Sequence, residues 1–95
     1  MAHRVTWSSR ALADVNAIAS YIATDSPAYA STVVRRIVGL TRTLAEFPRS
    51  GRKVPEFDEE SIRELIAYSY RIIYQVDEAE VIVASVIHGK RDWAV

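Results

Sequence analysis

Residues 62–88, IRELIAYSYRIIYQVDEAEVIVASVIH, decide the fold because they contain three strand-like segments in immediate succession. The segments cover residues 62–68, 70–76 and 80–88, and they are rich in β-branched and aromatic side chains, which favour extended backbone. The gaps between them are short enough for β-hairpins. This stretch therefore predicts a mainly antiparallel sheet.

Two amphipathic helices are predicted upstream of these strands. Apolar residues recur at steps of three and four over about residues 9–24 and again over about residues 27–47, as along the buried stripe of a helix. Ser26 and Pro27 separate the two, since Ser is a preferred N-cap and Pro suits a first turn. A short alternating strand at residues 3–7 comes first. The order β-α-α-β-β-β predicts an α+β domain in which an N-terminal helical hairpin packs on the sheet.

The length and composition exclude several classes of protein. The 95 residues fit one domain, residues 1–95, and contain no cysteine, which excludes disulfides, thiolate catalysis and Cys-based zinc sites. We find no phosphate-binding glycine loop and no metal-ligand spacing, so we expect neither a cofactor nor a metal. The chain contains no signal-peptide-like or bilayer-spanning tract, and we therefore expect a cytoplasmic protein without membrane contact.

The charges balance in number but are unevenly distributed. Twelve basic and 12 acidic residues give zero net charge, which argues against broad nucleic-acid binding. Ten of the basic residues are Arg, whose planar donors suit carboxylates and phosphates. Five acids crowd into residues 56–64, partly within a long connection over residues 48–61. Long connections are often functional, although this one could equally be a solvated crossover.

The last predicted strand has two apolar faces. Strict alternation assigns Val81, Val83 and Ile87 to one face, and Ile82, Ala84 and Val86 to the other. Two helices can cover only one face of a small sheet. Either the sheet curls over a small local core, or a partner protein covers Ile82, Ala84 and Val86.

The preceding strand places an arginine among apolar residues. Alternation puts Tyr70, Ile72 and Tyr74 under the helices and Arg71 on the opposite, open face. Arg in mid-strand needs a partner if it is buried. Two interpretations remain: Arg71 contacts an anion such as phosphate, or it forms a structural ion pair with Glu64 on the neighbouring strand.

A cationic cluster closes the last strand. His88 is followed by Gly89, which permits a turn, and then by Lys90 and Arg91. Imidazole can act as a general acid or base near neutral pH, although a lone His is more often polar surface.

Four motifs in order resemble the RelE/ParE family of toxins from type II toxin–antitoxin systems. They are FPRSGRKVPE at residues 47–56, IREL at 62–65, YRIIY at 70–74 and VIHGKRD at 86–92, where Lys90 replaces the family's Arg. The resemblance covers nearly the whole chain. It implies a RelE-like fold and a toxin bound by a cognate, ParD-like or similar antitoxin in a hetero-oligomer. The flexible antitoxin tail would bury the apolar face that carries Ile82, Ala84 and Val86.

The family has two functional branches, and the motifs are more similar to the ParE branch. ParE-like members poison DNA gyrase, whereas RelE-like members are ribosome-dependent mRNA endonucleases. Under the gyrase hypothesis, toxicity depends on cationic and hydrogen-bonding groups, namely Arg52, Arg63, Arg71, His88, Lys90 and Arg91. Under the nuclease hypothesis, Arg71 and Arg91 contact the phosphate and His88 transfers a proton, although Gly89 stands where one type of nuclease carries Tyr. A third hypothesis is a degenerate toxin retained for complex formation and autoregulation.

Overall fold

The computed structural model describes residues 2–90, in which two helices pack on a five-stranded sheet. Its elements are β1 (Arg4–Trp7), α1 (Ser9–Ala23), α2 (Pro27–Thr43), β2 (Arg52–Lys53), β3 (Ile62–Ala67), β4 (Tyr70–Val76) and β5 (Glu80–His88). Neither helix is long and apolar enough to cross a bilayer, as far as the described residues go. The predicted α+β class and the helical hairpin are confirmed.

Serine side chains begin both helices, as the sequence predicts. The hydroxyl of Ser8 accepts a hydrogen bond from the Ala11 N–H at 3.0 Å, and that of Ser26 accepts one from the Tyr29 N–H at 3.1 Å. Each bond satisfies a donor that the first helical turn leaves unpaired. The second helix ends at Thr43, four residues before the predicted end, because the chain tightens there into turns joined by i→i−3 bonds such as Leu44 N–H to Thr41 O.

The sheet has the strand order β1-β5-β4-β3-β2. The outer strand β1 runs parallel to β5, and the other three pairings are antiparallel. Strand β2 lies within the stretch predicted as a loop, where Arg52 pairs with Glu64 and Lys53 with Arg63. Two residues are too few to show periodicity, so this strand could not be predicted.

The helices cover one face of the sheet and form the main core with it. Val33 and Ile37 of α2 are fully buried in one cluster with Ile72 of β4 and Val83 of β5. Tyr74 is fully buried in an adjoining cluster with Leu44. The prediction that the face of β4 carrying Tyr70, Ile72 and Tyr74 lies under the helices is therefore confirmed.

A β-bulge in β5 makes part of the predicted alternation wrong. Ile73 pairs with Ser85 whereas Tyr74 pairs with Val83, so Ala84 is the extra residue. An extra residue exchanges the two faces beyond it. Val86 therefore lies in the helix-covered core at 2% exposure, and Ile87 lies in a cluster on the opposite face.

The opposite face carries a second, smaller core formed by the chain itself. Residues 54–58, which we call the flap, cover it: Val54 is fully buried against Ile73 and Ile87, and Phe57 packs at the edge of the cluster. A small local core, the first of the two alternatives, is therefore present on this face, while Ile82 and Ala84 are half-buried and lie outside it. Arg71 is on this face, as predicted, but it lies beneath the flap at 5% exposure instead of standing open.

Candidate functional site

Four charged side chains form a chain of ion pairs at the edge of the small core. Arg71 donates from both terminal nitrogens to the carboxylate of Glu56, each at 2.8 Å, and from Nε to Oε1 of Glu64 at 2.6 Å. The second oxygen of Glu64 accepts from Nε of Arg52 at 2.6 Å. The two arginines therefore share one buried carboxylate, and the flap supplies a second. Strand pairing explains the arrangement, because β3 carries Glu64 between β4 and β2.

Burial makes these ion pairs depend on one another. The side chain of Glu64 is fully buried and that of Arg71 is 6% exposed, whereas that of Glu56 is 23% exposed. Removing two charges from water is compensated only when the geometry is close and every donor is satisfied. The hydrogen bonds that Arg71 donates to Glu56 raise the pKa of Arg71 further above its ordinary value, against the lowering effect of burial. The predicted ion pair between Arg71 and Glu64 is present.

The turn within the flap positions Glu56. The N–H groups of Phe57 and Asp58 both donate to the carbonyl oxygen of Val54, at 3.1 and 3.0 Å. Asp58 has a φ of 51°, a left-handed conformation that Asp tolerates better than most residues do. Lys53 reaches the Asp58 carboxylate at 3.1 Å. The turn thus lies across the sheet with the Glu56 side chain directed at Arg71.

A cleft opens beside the ion pairs. Its volume is about 350 Å³, and its walls are formed by Arg52, Pro55, Glu56, Arg71 and Gly89. Gly89 follows β5 and donates its N–H to the Ser69 carbonyl, and an added Cβ would lie only 3.0 Å from that oxygen. The cleft is therefore bordered by guanidinium groups and by residues with little side-chain bulk.

Arg63 uses its donors within the chain, including an ion pair between its Nη2 and the Glu60 carboxylate at 2.5 Å. Its Nη1 donates to the carbonyl oxygen of Gly51 at 2.8 Å, and its Nε donates to that of Glu60 at 2.9 Å. Its side chain is only 13% exposed. These contacts hold the chain on both sides of the flap, and Arg63 lies outside the ion pairs that Arg71 and Arg52 form with Glu64.

The end of β5 presents the remaining predicted residues. His88 and Lys90 are exposed, and the His88 ring packs edge-on against Tyr70 at a centroid distance of 5.9 Å. Arg91 lies outside the described residues. Among residues 2–90, no group of three or more potential ligands could hold a metal ion.

A groove between α1 and the sheet contains a residue to which the sequence analysis gave no role. Asp14 accepts from the Ser85 hydroxyl at 2.8 Å and from the Val86 N–H at 2.9 Å, next to the bulge. Asp14 and Ser85 are 71 residues apart in the chain, so no local pattern in the sequence indicates that they meet. The groove has a volume of about 440 Å³ and is lined by Arg10, Asp14, Ala17, Ile18, Tyr21, Tyr70, Val86, Ile87 and His88.

The three residues predicted to contact an antitoxin do not share one surface. Ile82 and Ala84 are half-buried, and Ile82 lies on β5 between β1 and β4, with Thr6 and Gln75 as its neighbours. Val86 belongs to the helix-covered core. The bulge at Ala84 is the reason that the predicted set divides.

Comparisons with known proteins agree on one family. A family model described as the ParE toxin of the type II toxin–antitoxin system, parDE, matches residues 5–93. The Y4kP protein of Sinorhizobium fredii is 36% identical over 92 residues, which cover 95% of this chain and 92% of that protein. Toxin RelE2 of Caulobacter vibrioides is 35% identical over 89 residues, covering 93% of this chain and 97% of its own.

A solved structure shares the fold. The chromosomal ParDE TA system from P. aeruginosa contains a chain that superposes with a TM-score of 0.74 over 90% of this chain and 95% of its own. The two sequences are 21% identical, so this similarity supports the architecture alone.

Proposed function

The chain belongs to the ParE toxin family of type II toxin–antitoxin systems, and from this premise we propose that it inhibits DNA gyrase and is neutralised by a cognate antitoxin. The toxin class follows from the family. The choice of gyrase over the ribosome rests on the state of Arg71, together with the ParE-like motifs.

The main support for this choice is that Arg71 already forms ion pairs with carboxylates of its own chain. A nuclease of this fold needs cations beside the scissile phosphate, where they stabilise the developing negative charge. Arg71 instead lies under the flap, with its donors directed at Glu56 and Glu64 at 2.6 to 2.8 Å. A phosphodiester approaching it would meet two carboxylates. A net charge of zero likewise gives little long-range attraction to ribosomal RNA.

The exposed cationic groups near the cleft are better suited to contacts with a protein target than to catalysis at a scissile phosphate. Arg52, with a side chain 64% exposed, borders the cleft, and His88 and Lys90 are exposed at the adjoining end of β5. Arginine and aromatic residues contribute strongly to protein interfaces. We propose these three, with Arg91, as the gyrase contacts.

A nuclease is the second candidate function because of the side chains at the end of β5. His88 is exposed, contacts Tyr70 and is followed by Lys90, so an imidazole, a phenol and an ammonium lie at one end of the sheet. Such groups can act in proton transfer and phosphate binding. One relative bears the name Toxin RelE2.

We propose that the antitoxin binds the groove between α1 and the sheet and extends along the half-buried residues Ile82 and Ala84. The groove has an apolar floor, which includes Ile18, and its rim carries Arg10 and His88. A segment that folds on binding gains affinity by burying such a floor. The complex should melt at a higher temperature than the toxin alone, and equal melting temperatures would argue against this partner.

Two assays on the purified toxin test the proposed target. We expect inhibition of supercoiling by gyrase and no cleavage of mRNA on translating ribosomes. His88→Gln and Lys90→Gln should each weaken the inhibition by about tenfold, the equivalent of about 1.4 kcal/mol of binding free energy. The matched control is Arg36→Gln, which removes an exposed charge from α2, away from the cleft.

The two assays also distinguish the alternatives. Cleavage of mRNA without gyrase inhibition would establish the nuclease and contradict the proposal. A toxin that neither inhibits gyrase nor cleaves mRNA, but still binds its antitoxin, would support the hypothesis of a degenerate toxin.

A further inference from the structure

The β-bulge of β5 obtains its hydrogen-bond partners from the start of α1. Strand β1 pairs with only the first half of β5. Beyond that half, the carbonyl oxygen of Ala84 accepts from the Ser8 hydroxyl at 2.9 Å. The N–H of Val86 donates to Oδ2 of Asp14, also at 2.9 Å. A bulge disrupts the strand ladder, and buried backbone groups need partners, so α1 and its N-cap take the place of the missing strand.

Asp14 makes the stronger of these contacts. Its Oδ2 atom also accepts from the hydroxyl of Ser85, at 2.8 Å. Ser85 is fully buried and the side chain of Asp14 is 25% exposed, so both bonds are partly shielded from water. Arg10, on the same helix, is 4.0 Å from this oxygen, a longer contact than either hydrogen bond. Hydrogen bonds to a charged acceptor are roughly twice as strong as neutral ones. Asp14 therefore ties two successive residues of β5 to α1.

The apolar pattern of β5 does not by itself select the bulged register. Residues 81–87 read VIVASVI, which is apolar on both faces. In the bulged register Val86 lies under the helices and Ile87 lies in the small core. Without the extra residue the two side chains would exchange faces. A one-residue slip is costly when it moves apolar side chains into solvent, but here each would still meet an apolar surface.

The hydrogen bonds to Asp14 do distinguish the two registers. In the bulged register Val86 pairs with Ile72, and its N–H points away from β4 towards α1. Without the bulge Val86 would pair with Arg71, one position along β4. Successive pairs of antiparallel strands alternate between groups that point at each other and groups that point away. The N–H of Val86 would then point at β4, and Asp14 would lose it as a donor.

We propose that Asp14 is a positioning residue, which holds β5 in its bulged register and so places His88 beside Tyr70. These two residues are paired in the sheet, and their rings are in edge-on contact. In the bulge-free register Tyr70 would pair with Ile87, and His88 would lie one position further along, level with the turn between β3 and β4. The consequence for target binding rests on the function proposed above, whereas the role of Asp14 in the register does not.

NMR can identify the register from one short contact. Residues of a pair that is not hydrogen-bonded have Cα atoms about 4.5 Å apart, which gives a strong Hα–Hα NOE. The unaltered toxin should show this NOE between Ile72 and Val86, whereas the bulge-free register would show it between Ile72 and Ser85. In Asp14→Ala we expect the ratio of bulge-free to bulged molecules to rise at least about tenfold, since hydrogen bonds to a charged group contribute that much. The second NOE should then appear. If Asp14→Ala shows only the NOE between Ile72 and Val86, the proposal is wrong, however unstable the variant is.

Two further substitutions exclude a loss of folding and a general effect of charge. Asp14→Asn keeps the shape of the side chain and one acceptor oxygen, so it should remain folded. It should shift the same ratio by about threefold, because a neutral hydrogen bond is about half as strong. Asp25→Ala removes a negative charge from an exposed residue just beyond α1 and should leave the ratio unchanged. An equal shift in Asp25→Ala would indicate an effect of net charge and would overturn the proposal.

Deletion of Ala84 tests the role of Asp14 by rescue. The deletion removes the extra residue, so Val86 pairs with Ile72 in a regular strand and no bulge is needed. The double variant, Asp14→Ala with Ala84 deleted, should therefore return to the NOE between Ile72 and Val86 alone. Persistence of an NOE between Ile72 and Ser85 in the double variant would contradict a role of Asp14 in the register.

Gyrase inhibition then separates this inference from the proposed function. The toxin concentration needed for half-inhibition should rise in inverse proportion to the bulged fraction measured by NMR, and deletion of Ala84 from Asp14→Ala should recover most of the lost inhibition. Inhibition that does not follow the bulged fraction would refute the positioning of His88 for the target. A change of register with no gyrase inhibition by any form would support the role of Asp14 in the register and refute the proposed target. An unchanged register in the Asp14 variants would refute that role, whatever the gyrase assay shows.

Discussion

The two faces of the sheet are closed by different physical means. On the helix-covered face, fully buried aliphatic residues such as Ile37, Ile72 and Val83 pack together. On the flap-covered face, Val54, Ile73 and Ile87 make a core of three buried residues, and the ion pairs of Arg71 lie at its edge.

This difference between apolar packing and ion pairing determines which face of the sheet can rearrange. Burial of apolar surface is non-directional and tolerates small adjustments. A buried ion pair requires its partners in one geometry and becomes costly when one of them leaves. The helix-covered face therefore holds the fold together, whereas the flap-covered face stays closed only while the ion pairs of Arg71 are intact.

The largest predicted effect lies on the helix-covered face. Ile37→Ala should lower the free energy of unfolding by about 4 kcal/mol, because a fully buried aliphatic side chain leaves a cavity. Ile87→Ala in the small core should cost about 2 kcal/mol, since its surroundings can collapse more easily. Urea unfolding of the two variants checks this order, and an equal loss would remove the distinction between the two cores.

The next effect concerns the ion pairs. Arg71→Met should cost about 3 kcal/mol, because it leaves the buried carboxylate of Glu64 with only the exposed Arg52 as partner. The double variant Arg71→Met/Glu64→Leu should be more stable than Arg71→Met alone, since no buried charge remains. A double variant less stable than Arg71→Met, in the same urea titration, would contradict a destabilising buried charge on Glu64.

A smaller effect is expected where the segment before the flap crosses the sheet edge. In Gly51→Ala, the added Cβ would lie 2.4 Å from the backbone oxygen of Glu64, so the strand must shift. We expect a loss of about 2 kcal/mol from this overpacking. Gly39→Ala, where an added Cβ would meet no atom within 4 Å, is the control for thermal unfolding.

The smallest effect is a dependence on alkaline pH. Burial raises the pKa of Tyr74, whose hydroxyl accepts the Gly51 N–H at 2.9 Å. A raised pKa means that the neutral phenol is favoured in the folded state. Its contribution is therefore complete below pH 10, the ordinary pKa of Tyr, and is lost as the pH rises through the folded-state pKa. Stability should fall more steeply above pH 10 in the unaltered protein than in Tyr74→Phe, and parallel curves would contradict this.

Most of the fold could be predicted, because the apolar pattern of each main helix and strand continues over many residues. The stripes of α1 and α2 and the three hairpin strands extend over many residues each, and their caps and turns agree with them. The bulge at Ala84 could not be predicted, because an extra residue in a uniformly apolar strand leaves no trace in composition. One residue was sufficient to move Val86 from the predicted outer face to the core.

The candidate site was predictable only in part. For Arg71 the sequence predicts either an anion contact or an ion pair with Glu64, and the ion pair is present. The contribution of Glu56 was hidden, since it reaches Arg71 from 15 residues away through the shape of the flap. Nothing in an acidic loop indicates which of its carboxylates folds back on the sheet.

The most direct test of this account is amide hydrogen exchange in the unaltered protein and in Glu56→Gln. The N–H of Val54 bonds the Ile62 carbonyl and that of Asp58 bonds the Val54 carbonyl, so both report on the flap, while the helical amide of Ile37 reports on the other face. We predict that Glu56→Gln accelerates exchange at Val54 and Asp58 by about tenfold, corresponding to about 1.4 kcal/mol, and leaves Ile37 unchanged. Unchanged rates at the flap, or equal acceleration at all three amides, would contradict a flap held closed by Glu56 and Arg71.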